Sequence, residues 1–370
     1  MTEPRVAEGH ILALRLFDLA YAIDLAKAES VWTRHAAGSA ARSRLSATPP
    51  KAMAFGVPPL AITLPALTLD VEGTPMEASV SARLYEFGVV TLALRLPVRD
   101  LPWPEFASLL DGVGRLVASD EGAKLWQSRL APMRAVLAAA FERPLAAPLE
   151  EDYLIGVAHA FDTKLSAIDL MAQVDLAPLL SGEHRQLSEG ARSDLLRQRF
   201  SYYTDDLVVL TWDRAFIYEP RGDSDVADVI EVANAQLLEM RYYDELLDDE
   251  LPRMYGLVEK ARRSLNLLSA RRYAGLARRF YALVAEVTEL TEKVDNALQV
   301  TEDVYLARIY AAALELFRVP TVSAAVDRKL AIIRDTYAAL YDEASSARSE
   351  LMEAAILLLI AVELVLALVR

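Results

Sequence analysis

PRGDSDVADVIEVANAQLLEMRYYDELLDDELPRMYGLVEKARRSL, residues 220–265, divides the chain. Pro220, Gly222 and the polar residues around them are a turn signal. Behind it, apolar residues fall at Val226, Ile230, Ala233, Leu237, Met240, Leu247, Leu251, Met254, Val258, Ala261 and Leu265. The steps alternate four and three, the period of a helix that buries one seam against partner helices. Asp244 is the polar residue on that seam, and a polar group so placed fixes register or oligomer state. Pro252 predicts a kink.

Beyond this first helix, LNLLSARR makes a turn and a second helix is expected to run to about Phe317, with Phe280, Leu283, Val287, Leu290, Val294 and Leu298 on one stripe. Val319-Pro320 breaks it. A third helix starts near Thr321 and carries its seam through Val326, Leu330, Ile333, Tyr337, Leu340, Ala344 and Ala347 into Leu351, Leu358, Val365 and Leu368. Residues 223–348 therefore read as a long antiparallel helical stalk with a coiled-coil seam, and 349–370 as an apolar C-terminal helix continuous with it.

Ahead of the turn, residues 1–222 read as a mixed α/β head, making the chain α+β. β-rich apolar stretches occur at 10–17, 60–71, 83–96, 153–161 and 206–220, with helical patterns between them and a small-residue loop at 36–50. HILALRLFDLAYAIDLAKAE and VAHAFDTKLSAIDLMAQVD share Ile-Asp-Leu at 23–25 and 168–170. That suggests two copies of a β-α-β-β-α-like unit over 10–118 and 153–245, against chance likeness between amphipathic segments.

At 370 residues two domains are expected. The chain is 54% hydrophobic, with mean hydropathy +0.19. A net charge of -14 argues against a general nucleic-acid binder, so nucleic acid is not an expected partner. The lack of cysteine excludes disulfides, thiolate catalysis and zinc–sulfur sites. MTEPRVAEGHILALRLF has no basic region before an apolar core, so neither a signal nor a transit peptide is expected there.

The ending MEAAILLLIAVELVLALVR, 352–370, is apolar all round the helical wheel apart from Glu353 and Glu363, and such a helix is buried in protein or lipid. From Ala354 to Val369 it rises about 24 Å, against about 30 Å of hydrocarbon. Glu363 at mid-membrane would cost about 2.5–3.5 kcal/mol unless neutral or paired. A membrane helix is the leading expectation, ahead of an oligomer helix and an interfacial one. Leu351, Leu358, Glu363, Val365 and Leu368 are the expected anchor or oligomer contacts. Arg262, Arg263, Arg271, Arg272, Arg278 and Arg279 form a basic tip at the helical turn, 260–279, suited to anionic lipid or to pairing with nearby acids.

LLEMRYYDELLDDELPRMY (237–255), LVAEVTELTEKVDNALQVTEDVYLARIYAAALELF (283–317), KLAIIRDTYAALYDE (329–343) and RSELMEAAILLLIAVELVL (348–366) resemble the required-for-meiotic-nuclear-division family, a widespread domain of unknown function. Glu363 matches the glutamate which that family keeps within its short apolar anchor. The resemblance implies a membrane-anchored, self-associating protein with no enzymatic activity.

Other chemistry is sparse. His10, His35, His159 and His184 show no ligand spacing, and Gly112-Val-Gly114 lacks the third glycine of a dinucleotide loop. Glu151-Asp152 and Asp162-Thr-Lys164 are of the residue types found in metal-dependent nucleases, although Asp162 also suits a helix cap. The acidic run Asp244, Glu245, Asp248, Asp249 and Glu250 reads as a solvated face. The expectation is a non-enzymatic, tail-anchored scaffold or adaptor without cofactor or metal. Its expected partners are itself, membrane lipid and a further protein, and its expected place is a bacterial inner membrane with the head in the cytoplasm. The alternatives are a peripheral cytoplasmic protein bound to RNA or the ribosome through the basic tip, and a metal-dependent hydrolase in the head.

Overall fold

The computed structural model describes residues 3–35, 40–42, 53–183, 185–222, 225–262, 269–295, 298–300 and 304–369. The chain is α+β and divides into two compact units, Met1–Glu239 with Lys293–Pro320, and Met240–Glu292 with Thr321–Arg370. The strands are β1 (Arg5–Asp18), β2 (Ala20–Ile23), β3 (Ala40–Arg42), β4 (Met53–Phe55), β5 (Leu60–Val71), β6 (Thr74–Leu84), β7 (Val89–Pro102), β8 (Phe141–Pro144), β9 (Glu150–Phe161), β10 (Arg199–Phe200), β11 (Leu207–Leu210), β12 (Arg214–Tyr218) and β13 (Leu298–Val300). The helices are α1 (Leu25–His35), α2 (Trp103–Ala118), α3 (Asp120–Leu137), α4 (Ala167–Gln173), α5 (Ala177–Ser181), α6 (Glu189–Leu195), α7 (Val226–Arg262), α8 (Ser269–Asp295), α9 (Val304–Leu316) and α10 (Val319–Val369).

The first unit is built on one sheet of order β10-β11-β12-β9-β1-β7-β6-β5-β3. Only β9 and β12 pair in parallel among these neighbours. Side chains alternate across each strand. Ala78, Val80, Ala82 and Leu84 of β6 join Leu92, Leu94 and Leu96 of β7 in the main core, against Trp103, Phe106 and Leu110 of α2 and Trp126 and Leu130 of α3. β1 is buried nearly throughout, which explains its run ILALRLF: a central strand covered on both faces needs apolar residues at every position. The first turns of α7, from Val229 to Glu239, are buried on all sides.

The expected second helix is interrupted. α8 ends at Asp295, β13 pairs with β4 (Leu298 opposite Phe55, Val300 opposite Met53), and α9 follows. A strand pairing distant in sequence has overridden the helical period. α9 ends at Leu316, and Arg318 in the turn beyond it has a left-handed φ of 57°, which costs a non-glycine residue roughly 1–2 kcal/mol. The third helix and the apolar ending are one element, α10. The suggested duplication does not carry into the sheet: β1 pairs with β7, whereas β9 pairs not with β11, where the second copy would place it, but with β12, in parallel.

In the second unit, Leu247 and Met254 of α7, Phe280 and Val287 of α8, and Ile333 and Leu340 of α10 are buried, each pair seven residues apart. Lys329 of α10 reaches Asp244 and Asp248 of α7 at 2.7 and 2.6 Å, and Tyr281 of α8 lies 5.9 Å from Tyr337 of α10, ring to ring. Within this unit α10 thus meets both α7 and α8.

Candidate functional site

On the face of the sheet turned from the main core, β6 and β7 present Ser79, Ser81 and Arg83 beside Arg95, Ala93 and Thr91 in register. With Leu12, Leu14, Asp228 and Glu231 these line a cavity of ≈ 110 Å³. Arg83 donates from Nη1 to Glu231 Oε2 at 2.8 Å and from Nη2 to Asp228 Oδ1 at 2.9 Å. Tyr85 donates its hydroxyl to Glu231 Oε1 at 2.9 Å. The Arg83 and Glu231 side chains are 18% and 7% exposed.

Burial opposes the Arg83 charge, but Glu231 and Asp228 outweigh it and hold the guanidinium well above its ordinary range. Burial first, and Asp228 second, push the Glu231 carboxyl up against the restraint of Arg83. Burial and the Glu231 charge push the Tyr85 phenol well up. The donors and acceptors are spent on one another, so the cluster pins α7 to the sheet.

A larger cavity, ≈ 380 Å³, lies at the β10–β11 edge of the sheet. Asp194, Arg197, Gln198, Thr211, Trp212, Glu315 and Arg318 line it.

The residues singled out from the sequence fall as follows. Asp244 is half-buried and accepts from Lys329, whose charge burial disfavours but Asp244 and Asp248 sustain. Arg278 and Arg279 are exposed on α8, and Arg279 pairs with Glu250 at 3.7 Å. Arg263 and the side chains of Arg262, Arg271, Arg272, Leu351 and Leu368 lie outside the described residues. Leu358, Glu363 and Val365 are exposed.

The nuclease-like residues are not brought together. Glu151 and Asp152 stand at the start of β9, and Asp162 and Lys164 beyond its end. Ten residues of strand put Asp152 and Asp162 about 33 Å apart. Asp152 pairs with Arg15 and Lys164 with Asp205. Asp162 does not cap the next helix. Ser166 does, accepting from Asp169 N at 3.1 Å in a reciprocal capping box. Ser166→Ala should lower the unfolding free energy by about 1 kcal/mol, read from the urea midpoint, and an unchanged midpoint would refute the cap.

Among the described residues no three His, Asp or Glu side chains are grouped to hold a metal. Two histidines that looked unrelated do meet: His10 Nδ1 lies 3.2 Å from His159 Nε2, since β1 and β9 are neighbours. Burial, then Arg95 and His159, lower the His10 imidazole to about 3.

Sequence reasoning missed Arg83, Tyr85, Asp228 and Glu231. The available signals were the arginine inside β6 and the acid inside VIEVANAQLLEM, since an acid amid residues buried all round must have a partner.

Fold and network together define an α+β head domain whose sheet is clamped to the helix that follows it. The chain belongs to the family described as "Uncharacterized protein MJ0711, N-terminal domain", whose model matches residues 8–225. It is 25% identical over 196 residues to "Uncharacterized protein MJ0711" of Methanocaldococcus jannaschii, a stretch covering 53% of this chain and 59% of that relative. No solved structure matches. What this establishes is a domain family of unknown function. It stops at the residue before α7, so the required-for-meiotic-nuclear-division resemblance, read from 237–366, gains no support from it.

Proposed function

We propose that the protein is a non-enzymatic scaffold whose copies associate through the apolar part of α10. One observation carries this reading. Ten large apolar side chains between Met352 and Leu366 lie 48% to 67% exposed, on every side of the helix. Isolated exposed apolar residues are ordinary, but a contiguous apolar surface of this kind marks a contact. Two or more copies packing these segments together would also let each Glu363 share a proton or meet a cation from its neighbour.

Membrane insertion is the second reading, because all-round apolarity suits lipid as well as protein. Among the described residues no single helix is long and apolar enough to cross a bilayer. The apolar stretch Ala355–Leu366 rises about 18 Å, against about 30 Å of hydrocarbon. The resemblance over 237–366 supports this reading by analogy alone.

Light scattering on the full chain without detergent, with and without Leu358→Lys and Val365→Lys, tests the proposal. The wild type should be an oligomer and the double variant a monomer with unchanged circular dichroism. A monomeric wild type, or an unaltered mass in the variant, would reject self-association through α10. Extraction by alkaline carbonate tests the second reading: release of the wild-type chain into the soluble fraction would end it.

A further inference from the structure

The edge of the sheet carries a surface that the helical contact does not involve. Three large aromatic side chains stand out of it, Tyr202 at 65%, Trp212 at 52% and Tyr203 at 48% exposure. The rings are linked: Tyr202 lies 4.8 Å from Tyr203 and 5.5 Å from Tyr305 at the start of α9. Arginines rest on them, Arg221 over Tyr203 at 4.6 Å and Arg318 over Trp212 at 6.0 Å, with Arg308 over Phe200 of β10 at 5.7 Å. The strip follows α9 from Tyr305 to the ≈ 380 Å³ cavity beside Trp212.

Its charge is unusual for this chain. Acids outnumber bases, 53 to 39, yet none of Arg221, Arg308 and Arg318 makes an ion pair among the described residues. Two nearby acids are already engaged. Asp206 accepts from the backbone N–H of Tyr202 and Tyr203 at 2.7 and 3.0 Å, and Asp205 pairs with Lys164. Asp206 thereby fixes the loop that holds the two tyrosines outward. In the cavity, Asp194 and Glu315 accompany Arg197 and Arg318. That mixture suits the amino edge of a base, which donates to carboxylates, better than a bare phosphate.

We infer that this strip binds single-stranded nucleic acid, with bases stacked on Tyr202, Tyr203 and Trp212 and phosphates met by Arg221, Arg308 and Arg318. Aromatic rings interleaved with arginines are the working parts of sequence-tolerant single-strand binding, because every base has a π face and every linkage a charge. The net charge of -14 repels a polyanion at long range, so attraction is confined to the strip and binding is modest. Duplex does not fit, since its bases are stacked on each other and offer no faces.

The test is fluorescence anisotropy of labelled single-stranded RNA and DNA oligonucleotides titrated with the full chain at low salt, with a duplex as comparator. Tryptophan fluorescence gives a second reading, because Trp32, Trp103 and Trp126 are buried and Trp212 is not. Saturable binding with quenching is expected. Tyr202→Ala with Trp212→Ala should weaken it about tenfold or more, while Trp212→Phe retains it. Arg308→Ala with Arg318→Ala should flatten the dependence of log affinity on log salt by about 1.4, at roughly 0.7 per phosphate contact. Both arginines are exposed, so that pair serves if the ring variants misfold. Three results would overturn the inference: no saturable binding, duplex bound as well as single strand, or affinity unmoved by the ring and arginine variants. Quenching of Trp212 by a proline-rich or acidic peptide but not by either oligonucleotide would reassign the strip to a protein partner.

Discussion

Replacing Arg83 with methionine should lower the stability of the first unit by about 3–5 kcal/mol, because it leaves the buried Glu231, with the half-buried Asp228 beside it, uncompensated. The expected readout is a urea midpoint lower by about 1 M or more, given slopes of about 1–3 kcal/mol per molar. The loss comes from the stranded charge and not from the value of the ion pair, which a control separates. The triple variant Arg83→Met, Glu231→Leu, Asp228→Asn removes both sides and should regain most of the midpoint. The deficit also has a pH signature. Burial already raises the Glu231 carboxyl in the folded chain, with Arg83 restraining it. Without Arg83 it rises further, so the folded variant takes up a proton more readily than the unfolded one. A raised folded value means stability is fullest below the unfolded carboxylate range and is lost as pH rises through the folded value. The gap between variant and wild type should therefore narrow toward acidic pH. A midpoint within a few tenths molar of wild type, or a gap that widens on acidification, would show that Arg83 does not neutralise these acids.

Much of this fold was legible in the chain, and the illegible parts share a physical cause. The helical period of α7 was legible because local period is set by neighbouring residues, although its first turns, to Glu239, belong to the unit of the sheet. The continuity of α10 through 351 followed from the same rule. What local pattern could not supply was pairing across the chain. β13 interrupts a good helical pattern because residues 53–55, some 245 positions earlier, offer it a strand. Arg83 and Glu231 are 148 positions apart, and His10 and His159 are 149 apart. Glu151 and Lys164 show the converse, since nearness in sequence became distance once β9 was extended between them. The aromatic–arginine strip draws on 197–221 and 305–318, and neither segment is unusual by itself.

Asp18 sets a second large expectation, a stability that falls as pH rises through neutrality. It closes β1, is fully buried, and neither carboxyl oxygen has a hydrogen-bond partner. Its N–H donates to Leu149 O, so the backbone is fixed in place. Gly88 stands beside it with φ 98°. A Cβ there would lie 1.7 Å from the Ala20 carbonyl oxygen, so only glycine fits this turn beside the carboxyl. Burial raises the carboxyl to about 8. The unfolded value is near 3.9, so stability is intact below about pH 4 and is lost progressively up to about pH 8. Roughly four units at 1.36 kcal/mol each amounts to about 5 kcal/mol. Asp18→Asn keeps the shape and removes the ionisation. The variant should match or fall slightly below wild type at pH 5, where its N–H donors find no acceptor, and exceed it by several kcal/mol at pH 9. Urea midpoints measured across that range should therefore cross. His10, lowered to about 3, is neutral when folded but protonated when unfolded below about pH 6.5, so it adds stability as pH rises to that point, equally in both proteins. Other titrating groups are common to both proteins and cancel in the difference. Parallel curves without a crossing would mean that the folded chain holds Asp18 charged, and the buried carboxyl would then need a cation that the surrounding strands do not provide.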